Sequence, residues 1–281
     1  MSNIVKRSKA LSVNPLKNSA PVGAALAFLG LNDSLPLMHG SQGCTAFAKV
    51  MFVRHFREPI PLQTTAMDQI STVMGADDSI VEALATICAK QKPAVVGLLT
   101  TGLSETQGSD IRRAVREFRE AHPEHAQTAV GPVNTPDYAG CLESGFAAAA
   151  EAIVDTLVPE ASEAGTRPGQ LSRQVNVLAG SMLTPGDIEA LRELLERFEL
   201  RGVFLPDIAD SLDGHLAATD FNPTTTGGTT RAAIEAMGQS AATLVIGSSM
   251  GRAAKRLTEK TGVPNHHFGS LMGLDEMEIY I

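Results

Sequence analysis

The run Ala94-Val-Val-Gly-Leu-Leu99, introduced by Pro93 and emptying into Thr100-Thr-Gly-Leu-Ser-Glu-Thr-Gln-Gly108, decides how the rest of the chain is read. Apolar residues that continue without polar alternation predict a strand covered on both faces, as in a parallel sheet flanked by helices. The neighbouring segments supply those helices. Residues 78–90 set Ile80, Val81, Leu84, Ile87 and Cys88 on one helical stripe, and a second helix starts near Ser109 with Ile111, Val115 and Phe118 facing inward. Between them the small, polar stretch 100–108 reads as a loop. Residues 127–133 repeat the strand signal and 140–157 the helical one, which completes a first α/β unit.

Segment 159–170 is rich in Pro, Gly, Ser and Glu, the composition of a linker, and the rhythm restarts beyond it. Strands are predicted at 175–178, 202–205 and 242–246, and helices at 229–237 and 251–261. Thr184 followed by Pro185 opens a further helix, with Ile188, Leu191, Leu194, Leu195 and Phe198 as its apolar stripe. The expected architecture is α/β, with successive Rossmann-like parallel-sheet domains over residues 1–160 and 161–281. The last stretch, 269–281, opens one more connection without a matching element, so the second sheet is expected to be incomplete.

Composition narrows the function classes. At 281 residues with 43% hydrophobic content, the chain has material for about two domains. A net charge of −8 without a basic patch argues against nucleic acid as a partner. The three cysteines, Cys44, Cys88 and Cys141, are odd in number and widely spaced, which argues against a disulfide framework and for a reducing, cytoplasmic setting. Residues 1–17 carry basic side chains without the apolar core of a leader, and no stretch reaches the roughly 18 apolar residues of a membrane span. Glycine-rich dinucleotide and phosphate loops, the H-E-x-x-H zinc motif, C-x-x-C and the G-x-S-x-G elbow are all missing, so no catalytic residue is proposed from a motif.

The remaining polar candidates have plainer explanations. His266 and His267 are adjacent, so on a strand they point to opposite faces and read as a surface pair. Glu105 and Asp110 flank the end of the central strand, where α/β sheets bind ligands, but helix-start electrostatics also account for them. Gly227-Gly-Thr-Thr230 either cradles an anion or caps a helix. Arg54, His55, Phe56 and Arg57 meet a partner or solvent, while Thr64, Thr65, Thr100 and Thr101 satisfy turn backbone. Cys88 belongs to the core and Cys141 to helix packing.

Cys44 is different. It lies in Met38-His-Gly-Ser-Gln-Gly-Cys-Thr45, a turn of small residues at the start of an apolar helix. A helix start offers unpaired N–H groups and the positive end of the backbone dipole to an anion, and thiolates are the ligands of iron–sulfur clusters. On its residues alone Cys44 is either a buried thiol or such a ligand. One cysteine cannot hold a four-thiolate cluster, so any cluster here is shared across a subunit interface.

Five blocks give the chain a family likeness: Pro21-Val-Gly-Ala-Ala-Leu-Ala27, His39-Gly-Ser-Gln-Gly-Cys44, Arg54-His-Phe-Arg-Glu-Pro59, the run 64–67 and Thr100-Thr-Gly-Leu-Ser-Glu105. In order and spacing they resemble the β-type subunits of the nitrogenase superfamily. The resemblance implies Rossmann-like domains of the nitrogenase component 1 type, with the third domain missing from this chain. The catalytic β subunit donates three cysteines to its cluster; here the second position falls on Leu62 and the third on Gly102, neither able to ligate iron. That departure resembles the β-like subunit of the scaffold on which the iron–molybdenum cofactor is built. It implies Cys44 as the metal ligand, with Gly40, Ser41, Gln42 and Gly43 shaping its loop, in a [4Fe–4S] cluster whose other three cysteines come from an E-type partner subunit. The same likeness implies a heterotetramer, an iron–molybdenum cofactor precursor carried mainly by the partner, and transient docking of the nitrogenase iron protein. A β-type catalytic subunit of nitrogenase, a related dark-operative reductase subunit and a non-assembling fragment are the alternatives.

Overall fold

In the computed structural model the described residues are 19–212 and 222–271. The described residues open with helix α1 (Ala20–Leu29), strand β1 (Ser34–His39), α2 (Gln42–His55), β2 (Gln63–Thr64), α3 (Gln69–Met74), α4 (Asp77–Lys90) and β3 (Val95–Thr100). There follow α5 (Gly102–Gln107), α6 (Ile111–Ala121), β4 (Ala129–Val133) and α7 (Leu142–Leu157). The strands pair in parallel in the order β2-β1-β3-β4. The second half holds α8 (Ala161–Ala164), β5 (Leu171–Ala179), α9 (Pro185–Arg197), β6 (Arg201–Leu205), α10 (Ile208–Ser211), α11 (Arg231–Glu235), β7 (Ser240–Ile246), α12 (Gly251–Thr261) and β8 (Asn265–Phe268). Its sheet is also parallel, in the order β6-β5-β7-β8.

Side-chain alternation along β3 explains how the first sheet is covered. Val95 and Leu99 join a core that runs through α1, α7 and the inner strands of the second sheet, while Val96 and Leu98 pack on the other face with α4 and α6. Gly97 lies between them because the Phe28 ring of α1 occupies the place a side chain would take. Helix α1 is apolar on every side and buried along nearly its whole length, as expected of a helix enclosed by its neighbours. Its tight crossing with α7 depends on two glycines: a Cβ on Gly23 would overlap the Leu142 carbonyl, and one on Gly145 the Ala20 carbonyl.

Much of the predicted pattern is present, including α4, β3, α6, α7 and α12. Thr184 caps α9 as predicted, its hydroxyl accepting from the Asp187 amide at 3.3 Å while the Asp187 carboxylate accepts from the Thr184 amide at 2.7 Å. Replacing Thr184 by alanine is expected to lower unfolding stability by about 1 kcal/mol, read from the urea midpoint.

Five readings change. The loop expected at 100–108 contains helix α5, because the Thr101 amide donates to Ser104 Oγ at 2.9 Å to start it and Gly108, at φ 84°, ends it. Six residues are too few for periodicity to reveal. Phe198 leaves its stripe and is 51% exposed, since α9 stops at Arg197. Cys141 caps α7, half-buried, instead of packing in the core. The linker 159–170 includes the short helix α8. Strand β1 escaped the sequence reading because Pro36 stands in its middle, paired in register with Gly97, where a proline argues against an inner strand. The tail expected over 269–281 lies, beyond residue 271, outside the described residues.

Candidate functional site

The order β2-β1-β3-β4 places a crossover between β1 and β3, whose carboxyl ends are His39 and Thr100. Open α/β sheets bind ligands at such a point, where successive connections leave in opposite directions. The Cys44 turn starts there. Gly40 follows β1, Ser41 caps α2, and Cys44 stands in the first turn of that helix, partly exposed. Ser41 leaves the backbone cap unmade; its hydroxyl donates instead to Cys44 Sγ at 3.4 Å. The thiol is thus on a partly exposed residue, with a hydrogen bond to its sulfur.

Each side of the turn is fastened. The Gly40 carbonyl accepts from the Met67 amide at 2.9 Å and from Thr64 Oγ1 at 3.3 Å. The His39 carbonyl accepts from Ser104 Oγ at 2.8 Å and Thr101 Oγ1 at 3.2 Å. A Cβ on Gly40 would come within 2.5 Å of Thr101 Oγ1, so the close approach of the two strand ends requires glycine at that position. Gly43, by contrast, looks into open space, with only Ser41 Oγ as near as 3.9 Å. Gln42 is exposed at the helix start.

The structure also locates the two positions at which the family likeness lacks thiols. Leu62 is 5% exposed and part of the main core, and Gly102 is the first residue of α5, facing Asp137. Cys88 is buried between α4 and its sheet, where burial pushes the thiol up from its ordinary range. Among the described residues no cluster of three or more His, Cys, Asp or Glu side chains is placed to hold a metal ion. The donor set fits a group for which this chain supplies a single sulfur and another chain supplies the rest.

Helix α2 carries the features of a surface awaiting a neighbour. Thr45, Ala48 and Phe52 face the core, whereas Phe47, Val50 and Val53 are exposed. Arg54, His55 and Arg57 are exposed at its end, with Phe56 partly covered against the core. Large apolar groups on a helix beside a half-exposed cysteine are what an interface core buries. Helix α3 adds Ile70, Val73 and Met74, all strongly exposed.

Of the other sequence candidates, Glu105 accepts from Thr100 Oγ1 at 2.5 Å and Asn134 Nδ2 at 2.7 Å, joining the ends of β3 and β4. Asp110 caps α6, and Thr230 caps α11 by accepting from the Ala233 amide at 3.2 Å. His266 and His267 are exposed on β8. His39 was not singled out from the sequence, because a histidine inside a small-residue block gives no periodic signal. It is fully buried, and burial pushes its imidazole down to about 4 from 6.5, with Asp77 at the start of α4 acting in the opposite sense.

A histidine neutral in the fold but free to protonate when unfolded makes the unfolded chain bind the extra proton between pH 6.5 and about 4. Stability therefore rises with pH across that window and is lost as pH falls through it, by about 3 kcal/mol in all. Urea unfolding at pH 7 and pH 4.5 is expected to show most of this loss in the native chain and a smaller one in His39→Leu.

Comparisons with known proteins agree with this fold. The family model described as nitrogenase component 1 type oxidoreductase matches residues 19–281. The nitrogenase iron-molybdenum cofactor biosynthesis protein NifN of Klebsiella pneumoniae is 48% identical over 281 residues, covering all of this chain and 60% of that protein. NifN of Nostoc sp. is 45% identical, covering all of this chain and 62% of that protein. The chain thus spans about 60% of the length of these curated relatives. A solved structure of nitrogenase Cp1 at pH 6.5 superposes with a TM-score of 0.87 at 31% identity, covering 99% of this chain and 59% of that one.

Proposed function

Because the chain belongs to the nitrogenase component 1 type oxidoreductase family, we propose that it is a scaffold subunit in the biosynthesis of the nitrogenase iron–molybdenum cofactor and catalyses no reaction of its own. Cys44 supplies one ligand to a [4Fe–4S] cluster whose remaining thiolates come from an E-type partner subunit, in a heterotetramer. Gly40, Ser41, Gln42 and Gly43 form the loop around it. The precursor is carried mainly by the partner, the nitrogenase iron protein docks transiently, and the complex works in the cytoplasm. Within the chain, residues 1–160 form the domain that bears the ligand and 161–281 the second domain. No described helix is long and apolar enough to cross a membrane.

The observation that carries this reading is a solitary, half-exposed thiol at the switch point of the first sheet, beside the uncovered apolar residues Phe47, Val50 and Val53. The cluster would supply one-electron redox capacity or a cross-link between subunits; the chain's part is to present Cys44 Sγ and donate the Ser41 hydroxyl to it. The names of the relatives support the scaffold role. The likeness to nitrogenase Cp1 favours a catalytic subunit as the second reading, against which Leu62 and Gly102 stand where thiolates are needed.

Anaerobic co-purification with an E-type partner, followed by iron counting and EPR, tests the proposal. A four-iron signal in the pair and no substrate reduction on adding iron protein and ATP are expected. An iron-free pair would refute the ligand assignment, and turnover would favour the catalytic reading.

A further inference from the structure

The buried imidazole of His39 lies between two hydroxyls, Thr65 Oγ1 at 2.9 Å from Nδ1 and Ser109 Oγ at 3.1 Å from Nε2. The directions of these bonds follow from the groups at the far end. Gln107 Nε2 donates to the Ser71 carbonyl at 2.9 Å, which fixes the amide so that its oxygen faces Ser109. Ser109 Oγ donates to that oxygen at 3.2 Å, and its one proton is then used. Toward His39 it can only accept, so the ring proton is on Nε2. Nδ1 is left with a lone pair, to which Thr65 donates. Thr65 Oγ1 in turn accepts from the Gly40 amide at 3.3 Å.

We propose that His39, as its Nε2–H tautomer, is the positioning residue of the Cys44 turn, the middle link of a one-way hydrogen-bond chain in which each group donates to the next from the Gly40 amide to the Ser71 carbonyl of helix α3. The chain ties together the end of β1, the segment after β2 and the segment after α5, three pieces of backbone that lie apart in sequence. Removing the imidazole leaves the Thr65 hydroxyl, which holds the Gly40 amide, without its acceptor and uncouples it from Ser109, while Cys44 and Ser41 stay in place. The inference rests on Cys44 being the cluster ligand, and it adds the residue that aims it.

Two substitutions separate this role from simple space filling. His39→Gln retains one donor and one acceptor; His39→Leu fills similar volume with neither. Outer-layer partners of metal ligands typically contribute about 10- to 100-fold in metal affinity. In the complex with the E-type partner, chelator challenge is expected to strip iron from His39→Leu by such a factor more readily, with His39→Gln close to the native complex. Thr65→Val, which removes both the donor to the ring and the acceptor of the Gly40 amide, is expected to follow His39→Leu, and the tautomer of the native ring decides the matter if His39→Leu does not fold. Nitrogen-15 NMR of the histidine-labelled chain is expected to show Nε2 protonated and Nδ1 bare. The opposite tautomer, or Leu and Val variants that hold iron as the native complex does while Cys44→Ala loses it, would overturn the inference and leave the ligand assignment standing. Iron retained in Cys44→Ala would instead refute the ligand assignment.

Discussion

Gly145→Ala is expected to destabilise the chain by about 3 kcal/mol or more, enough to compromise folding of a typical domain. Alanine would ordinarily favour a helix interior by up to about 1 kcal/mol over glycine. That gain is overwhelmed here, because the new methyl would overlap the Ala20 carbonyl oxygen, a backbone atom that no side-chain rotation can move aside. Separating α1 from α7 would open the core that both sheets share. The matching substitution on α1, Gly23→Ala, meets the Leu142 carbonyl and should behave alike. Gly186→Ala is the control: it lies in the first turn of α9 with nothing closer than Thr184 Oγ1 at 4.0 Å, so only the propensity term remains and a small stabilisation is expected. Urea denaturation of the three variants measures the contrast, and equal stabilities would show that the crossing is looser than described.

The second large effect concerns iron. Among the three cysteines only Cys44 combines partial exposure, a hydroxyl donating to its sulfur and a place at the switch point of the first sheet. Cys44→Ala is therefore expected to abolish the shared cluster in the complex with the E-type partner, because a four-iron cluster needs four ligands and three partner thiolates leave one iron open. Cys88→Ala should retain iron and lose stability instead, by about 1 kcal/mol for a small buried group. Cys141→Ala, at a half-buried cap, should change neither greatly. Iron analysis and EPR of the three purified complexes distinguish these outcomes.

The repeating units of the fold were legible wherever a long enough period was written into the chain. Residues 78–90 and 251–261 each have a helical stripe, and 94–99 a run that only a covered strand can accommodate. What stayed hidden has physical causes. Helix α1 lacks a polar face because it is enclosed on all sides, so it shows no amphipathic period. Strand β1 hides behind Pro36, and α5 is shorter than two turns. The candidate site was half legible. A cysteine among small residues at a helix start marks itself, but His39, Thr65, Ser109 and Gln107 lie up to 70 residues apart in sequence and converge only when β1 and β3 pair.

The central claim is that Cys44 Sγ completes a cluster built mostly by another polypeptide. Anomalous diffraction at the iron edge from crystals of the anaerobic complex tests it most directly. Iron at bonding distance from Cys44 Sγ, with the other three irons on partner thiolates, is the predicted result. A cluster ligated wholly by the partner, with Cys44 Sγ still bonded only to the Ser41 hydroxyl, would contradict it.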